Sequence, residues 1–214
     1  MLPTFNINKK IAPFNKAITI DGDKSLSIRW ALLASQAIGT SKAYKLLQSE
    51  DVLNTLKCLK KLGIKIKLKN DYCEIIGRGL NGYKYKDNLS LDAGNSGTLG
   101  RLILGLLVHA KKKIKLTGDR SLSKRDFSRV TEPLSKFNAK FYFKKKNKLP
   151  LSILGSKFAK PINYHEDKGS AQCKSSVMLA ALNTSGETNI RAKKSRNHTE
   201  LLFKYLKINI KVKK

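Results

Sequence analysis

At intervals of about 70 residues, this 214-residue chain stops three times on a short run of small polar residues and then begins an apolar helical stretch. The fullest case is Leu91-Asp92-Ala93-Gly94-Asn95-Ser96-Gly97-Thr98-Leu99-Gly100-Arg101, a strand that breaks on glycine and serine and runs at once into a helix. Gly22-Asp23-Lys24-Ser25 stands before the run Trp30 to Ile38, and Lys168-Gly169-Ser170-Ala171-Gln172 before Val177 to Leu182. Such a junction suits an anion. The free N–H groups of a first helical turn point outward, the macrodipole adds partial positive charge, and glycine lets a ligand come close to the backbone. Arg101, near the start of its helix, adds full charge there. One junction alone reads equally well as an N-cap. Three at even spacing imply a repeat.

Each copy continues in the same order. A short strand follows the helix (Lys42 to Leu47, Lys113 to Thr117, Thr188 to Ala192). A second helix comes next, its first turn acidic or capped (Ser49-Glu50-Asp51, Asp126 with Glu132, Asn197 to Glu200). Period-two alternation then marks half-buried strands at Ile64 to Leu68, Lys140 to Lys144 and Ile208 to Val212. A further strand closes the first two copies, Tyr72 to Ile76 and Leu151 to Leu154, and the third copy reaches Lys214 before its equivalent. The expectation is an α/β fold: one domain over residues 21–214 of three βαβαββ-like units, the third truncated, with helices inside and sheets outside. A hydrophobic content of 41% supplies a core, and no stretch rich in Gly, Ser or Pro divides the chain.

Lys and Arg number 44 against 15 Asp and Glu, a formal net charge of +29, which invites a nucleic-acid reading. The distribution argues against it. Lysines alternate out of strands and sit at helix ends along the whole chain, and few aromatics are interleaved with them as a stacking platform requires. The excess does favour anionic ligands. Cys58, Cys73 and Cys173 show no paired ligand spacing, and His109, His165 and His198 lie far apart, so neither a zinc site nor a disulfide framework is visible. Free buried thiols in a reduced cytoplasm are expected. The N-terminus carries no cleavable signal pattern, and no stretch approaches the roughly 18 apolar residues of a membrane helix.

Five blocks carry a resemblance: Asp23-Lys24-Ser25-Leu26-Ser27-Ile28-Arg29; Gly94-Asn95-Ser96-Gly97-Thr98 with Arg101; Leu116-Thr117-Gly118-Asp119 with Lys124-Arg125; Ser170-Ala171-Gln172 with Lys174-Ser175; and Ser195-Arg196-Asn197-His198-Thr199-Glu200. In this order, over nearly the whole chain, they resemble the N-terminal half of the 3-phosphoshikimate 1-carboxyvinyltransferase, or EPSP synthase, family. The resemblance implies an inside-out α/β barrel domain. It also implies a reaction in which the 5-hydroxyl of shikimate 3-phosphate adds to C2 of phosphoenolpyruvate and phosphate is then lost. No cofactor and no metal are implied. The partners implied are the two substrates and a missing C-terminal domain or complementing chain, which would hold the proton-transfer groups, so no catalytic acid or base is expected in this half. Whether the gene is truncated or a second chain supplies the rest stays open. Residues 1–20 would link to that domain, leaving Ile7, Ile11, Phe14 and Ile18 partly uncovered.

Residue by residue, Lys24 matches the family lysine that touches both substrates, and Ser25 and Arg29, one helical turn apart, match residues that hold shikimate 3-phosphate. Gly97 matches the position where backbone meets phosphoenolpyruvate, and Arg125 the arginine whose planar fork binds it. Ser170 and Gln172 match donors to shikimate 3-phosphate and to both substrates, Arg196 is similar to an arginine near the shikimate phosphate, and Asn95 shapes the turn. Departures from the family pattern are Asp21, Ile28, Leu99 and Asn197, of which Leu99 threatens to crowd the turn at Gly97. From residue type alone the same positions have plainer readings: Ser25 and Ser170 as N-caps, Arg29 and Arg125 as exposed helix charges, Gln172 as solvated surface. His198 and Glu200 read as caps or supports of the last helix, and Asp119 and Glu132 as structural carboxylates. The alternative from another class is a basic nucleic-acid-binding module, whose affinity would collapse with salt.

Overall fold

The computed structural model describes residues 15, 17, 22–70 and 72–213. The expectations for Ile7, Ile11, Phe14, Ile18 and Asp21 lie outside them. The middle repeat shows the whole unit: β4 (Leu89–Asp92), α3 (Gly97–Leu106), β5 (Ile114–Thr117), α4 (Ser128–Ser135), β6 (Lys140–Lys145) and β7 (Lys148–Leu154). Its sheet has the order β4-β5-β7-β6, with β4 and β5 parallel and the other pairs antiparallel. The first repeat supplies α1 (Lys24–Gln36), β1 (Ile38–Tyr44), α2 (Glu50–Lys61), β2 (Lys65–Leu68) and β3 (Tyr72–Arg78), in the equivalent order β1-β3-β2. The third supplies β8 (Asn163–Glu166), α5 (Ala171–Leu182), β9 (Asn189–Ala192) and α6 (His198–Tyr205), with β8 and β9 parallel.

Strand alternation puts the sheets on the outside. In β7, Leu149, Leu151 and Ile153 are buried while Lys148 faces water, and in β5 Ile114 and Leu116 are buried on either side of exposed Lys115. The many lysines therefore leave the sheets toward solvent. The first helix of each repeat behaves differently: α1, α3 and α5 are buried on nearly every face, as helices apolar all round must be. These three run in the same direction. Arg29 meets Ser175 and, two turns on, Gln36 meets Asn183. Likewise Thr98 meets Gln172, and a Cβ on Gly105 would reach Leu179, the same 74-residue offset. Glycine permits the approach of α3 to α5, because a Cβ on Gly105 would lie 2.2 Å from the Ser176 carbonyl oxygen.

The structure corrects several boundaries. The first helix ends at Gln36 rather than Ile38: Ala37 is extended, and its carbonyl accepts from Gly79 N–H at 2.9 Å. Pairing with the full length of β3 then draws β1 out over Ile38 to Tyr44, earlier than the expected Lys42 to Leu47, and Lys45 at φ 51° ends it. Ile208 to Val212 forms no strand, contrary to the alternation. In the first two repeats the corresponding strands β2 and β6 each pair with the strand that comes next, and no such strand pairs with 208–212 among the described residues. Asn163-Tyr164-His165-Glu166 carries no apolar alternation, so the sequence alone does not mark β8 as a strand. Cys58, Cys73 and Cys173 are free and buried, and burial pushes the Cys58 and Cys73 thiols up to about 11.

The tight contact of α3 on α5 gives a stability prediction. Gly105→Ala should destabilise the chain by about 1–3 kcal/mol, since overpacking forces the two helices apart. Urea denaturation measures it, and an unchanged midpoint would contradict the packing described.

Candidate anion-binding face

Because α1, α3 and α5 are parallel, their N-termini open on one face. Each start is capped from the sequence just before it: Asp23 accepts from Leu26 N–H at 2.7 Å, Ser96 from Leu99 N–H at 3.2 Å, and Ser170 from Cys173 N–H at 3.3 Å. Ser170 is thus an N-cap, and in the first helix that role falls to Asp23 rather than Ser25. Three first turns with outward N–H groups and three positive dipole ends share the face.

Side chains tie the three starts together. Gln172 donates to Thr98 Oγ1 at 3.0 Å and accepts from Arg101 at 2.8 Å, so it is a half-buried bridge between α5 and α3, not solvated surface. Arg101 also donates to Gly97 O at 3.3 Å and lies over the Phe127 ring, 5.4 Å from its centroid. Burial, with Arg125 and Arg129 nearby, lowers the pKa of Arg101. A Cβ on Gly97 would lie 2.8 Å from a guanidinium nitrogen of both Arg101 and Arg125, so only glycine leaves those two forks in place. Exposed Arg125 reaches Asn95 Oδ1 at 3.4 Å, a contact across the turn that Asn95 helps form. Leu99 does not crowd this turn; it is fully buried in the apolar core.

Arg29 is not an exposed helix charge. It is 5% exposed and donates from Nε to Thr199 Oγ1 at 2.9 Å, from Nη1 to Ser25 O at 3.0 Å and from Nη2 to Ser175 Oγ at 3.1 Å. A guanidinium has five N–H groups. Two therefore remain, one on each terminal nitrogen, as donors for an oxyanion. Burial first, then the nearby Arg196, pulls the Arg29 pKa down to about 10, leaving it cationic at neutral pH. Lys24, half exposed, pairs with Asp51 at 3.0 Å, and Arg196 is exposed at the start of α6. Lys174 and Glu200 form a nearly buried pair at 2.5 Å, so Glu200 supports α6 by tying it to α5.

Of the residues expected from the sequence, Ser25 with Arg29, Gly97 with Arg125 and Asn95, and Ser170 and Gln172 on α5 stand at the starts of the three parallel helices. Lys24 opens α1 and turns to Asp51 of α2, and Arg196 lies near Arg29 from the turn before α6. Asp119 is structural as read, accepting from Leu122 N–H at 2.6 Å. Sequence reasoning gave Arg101 no more than added charge beside its junction, and Ser175 and Thr199 no role. For Arg101 a sharper signal existed, since it lies beyond Gly97 by the same four residues that separate Arg29 from Ser25. Ser175 and Thr199 meet Arg29 across 146 and 170 residues, a distance no local pattern spans. Among the described residues, no three His, Cys, Asp or Glu gather as a metal site would require, and no helix is long and apolar enough to cross a membrane.

Comparison with known proteins points to one family. The family model described as EPSP synthase (3-phosphoshikimate 1-carboxyvinyltransferase) matches residues 8–214. The chain is 45% identical over 189 residues to a 3-phosphoshikimate 1-carboxyvinyltransferase of Streptococcus mutans, covering 87% of this chain and 44% of that protein. It is 38% identical over 207 residues to one from Paramagnetospirillum magneticum, covering 96% of this chain and 46% of that protein. The solved EPSP synthase of Acinetobacter baumannii superposes with a TM-score of 0.86 at 36% identity, covering 92% of this chain and 44% of that one. The chain thus spans less than half the length of the relatives it matches.

The Arg29 cluster predicts a loss that charge conservation does not repair. Arg29→Lys keeps the cation but cannot serve Thr199, Ser175 and the Ser25 carbonyl from one planar group, and should cost about 1–3 kcal/mol of stability. Chemical denaturation tests this; wild-type stability in Arg29→Lys would show that the three bonds hold nothing.

Proposed function

The chain belongs to the EPSP synthase family, and from that premise we propose that it forms one half of a cleft in which the enolpyruvyl group of phosphoenolpyruvate passes to the 5-hydroxyl of shikimate 3-phosphate, in the cytoplasm. The observation that carries this reading is the convergence of three helix N-termini around the two guanidinium groupings, Arg29 on one side and Arg101 with Arg125 on the other. Both substrates bear a phosphate and a carboxylate, and such a face suits anions on each side of Gln172.

In this reading Arg29, with Ser25, Ser170, Gln172 and Arg196, holds shikimate 3-phosphate. Phosphoenolpyruvate lies over Gly97 against Arg125, within reach of Gln172 and Lys24. Asn95 steadies Arg125. Lys24 leaves Asp51 when an anion arrives, because an exposed pair is held weakly, and its ammonium then meets the charge that develops on the transferring group. The hydroxyl oxygen adds to C2 as its proton departs and a proton joins C3; phosphate then leaves C2 as C3 gives a proton back, which forms the enol ether. Those transfers need an acid and a base within hydrogen-bond reach of the reacting atoms. The carboxylates near this face are engaged otherwise: Asp23 on Leu26 N–H, Asp51 on Lys24, Asp92 on Gly94 N–H, Asp119 on Leu122 N–H and Glu200 on Lys174. The proton-transfer groups, and the remaining cations around phosphoenolpyruvate, belong in this proposal to a second domain or a complementing chain.

Two outcomes are expected. The purified chain alone should release no phosphate from phosphoenolpyruvate in a shikimate 3-phosphate-dependent way, and a matching second half should restore turnover by closing the site against water. Robust turnover by the chain alone would contradict the proposal. In the reconstituted enzyme, Gly97→Ala should weaken phosphoenolpyruvate about tenfold, near 1.4 kcal/mol, while shikimate 3-phosphate is held nearly as before; equal losses measured for both ligands would count against the assignment.

A further inference from the structure

Two edges of the Arg29 guanidinium are used differently. Nε and Nη2 share its lateral edge, and their partners are hydroxyls from distant parts of the chain, Thr199 Oγ1 at 2.9 Å and Ser175 Oγ at 3.1 Å. Thr199 in turn donates to Ser175 Oγ at 2.7 Å, closing a triangle in which both hydroxyl residues are 1% exposed. The remaining bond, Nη1 to Ser25 O, is local to α1. The triangle fixes proton directions as well as positions. Thr199 accepts from Arg29 and sends its own proton to Ser175, so its oxygen lone pairs stay turned toward Nε. With the lateral edge taken, the second N–H of Nη2 lies on the terminal edge, and Nη1 keeps one N–H beyond its bond to Ser25 O.

The neighbouring residues hold this geometry. Lys174 and Glu200, adjacent in sequence to Ser175 and Thr199, form the ion pair that joins α5 to α6 at 2.5 Å. Thr199 is therefore seated over Ser175 by a contact one residue away on each helix. We propose that Thr199, acting with Ser175, is a positioning residue that holds the Arg29 guanidinium with its two remaining N–H groups free for an oxyanion of shikimate 3-phosphate, which makes α6 part of the binding machinery. This rests on the function proposed above. Without the Thr199 hydroxyl, Nε would be a buried donor with no partner, and the guanidinium would turn to satisfy it at the expense of those free groups.

The test compares Thr199→Val, which keeps shape and removes the hydroxyl, with Thr199→Ser, which keeps the hydroxyl. Two quantities are read on samples whose melting confirms folding: exchange of the Arg29 Nε–H by NMR without ligand, and the Kd for shikimate 3-phosphate by calorimetry. Thr199→Val should accelerate Nε–H exchange and weaken binding about tenfold, and Thr199→Ser should restore both to near wild type. Wild-type exchange or affinity in Thr199→Val, or a folded Thr199→Ser as impaired as Thr199→Val, would overturn the proposal. If Thr199→Val does not fold, Ser175→Ala removes the other hydroxyl, and wild-type affinity there would overturn it equally. A wild-type chain that binds no shikimate 3-phosphate would instead refute the functional reading, while the exchange measurement still decides whether Thr199 holds Arg29.

Discussion

Helices α1, α3 and α5 lie buried side by side and run parallel, and the outer sheets and the shared N-terminal face are built around them. Side-by-side parallel macrodipoles repel, so the arrangement needs compensation from packing and from their ends. Packing comes from apolar residues on nearly every face of α1, α3 and α5 and from the close approach that Gly105 allows against Ser176. The N-terminal ends carry a further burden, because Arg29, Arg101, Arg125, Lys24, Lys174 and Arg196 add full positive charge near the same face. Acids answer only part of it: Asp23 caps α1, Asp51 pairs with Lys24 and Glu200 with Lys174. A face with this surplus is stabilised by an anion, so the same packing that forms the core also prepares the site.

The repeat explains why the site is distributed. Each unit delivers the start of one buried helix to the common face, but the units differ in the side chains they carry there. The first provides Lys24, Ser25 and Arg29; the second Asn95, Gly97 and Arg101; the third Ser170, Gln172 and Ser175. Gln172 touches the second unit through Thr98 and Arg101, and Ser175 touches the first through Arg29. Helix α5 thus joins the two guanidinium groupings.

Much of this was legible because it rests on local rules. Glycine and serine before an apolar run mark the three helix starts, and lysines alternating with Ile, Leu or Phe mark the outer strands. The site residues came from a family resemblance carried by five blocks, which placed Gly97 and Arg29 without knowing what surrounds them. What escaped is non-local. Whether Arg29 is exposed or nine-tenths buried depends on Ser175 and Thr199, far away in sequence, and the strand expected at Ile208 to Val212 fails because alternation alone does not supply a hydrogen-bonding neighbour. The helix end at Gln36 is set in the same way, by Gly79 bonding to Ala37.

In the proposed function, the shared N-terminal face of α1, α3 and α5, and not the lysine-rich outer surface, receives the anionic substrate. Titrating the labelled chain with shikimate 3-phosphate and following backbone amide shifts by NMR tests it directly. Saturable shifts should concentrate at residues 24–29 and 170–175 and at 196–200, with the outer strands unmoved. Shifts spread over the lysines of β2, β6 and β7, weakening steeply with salt and never saturating, would contradict it.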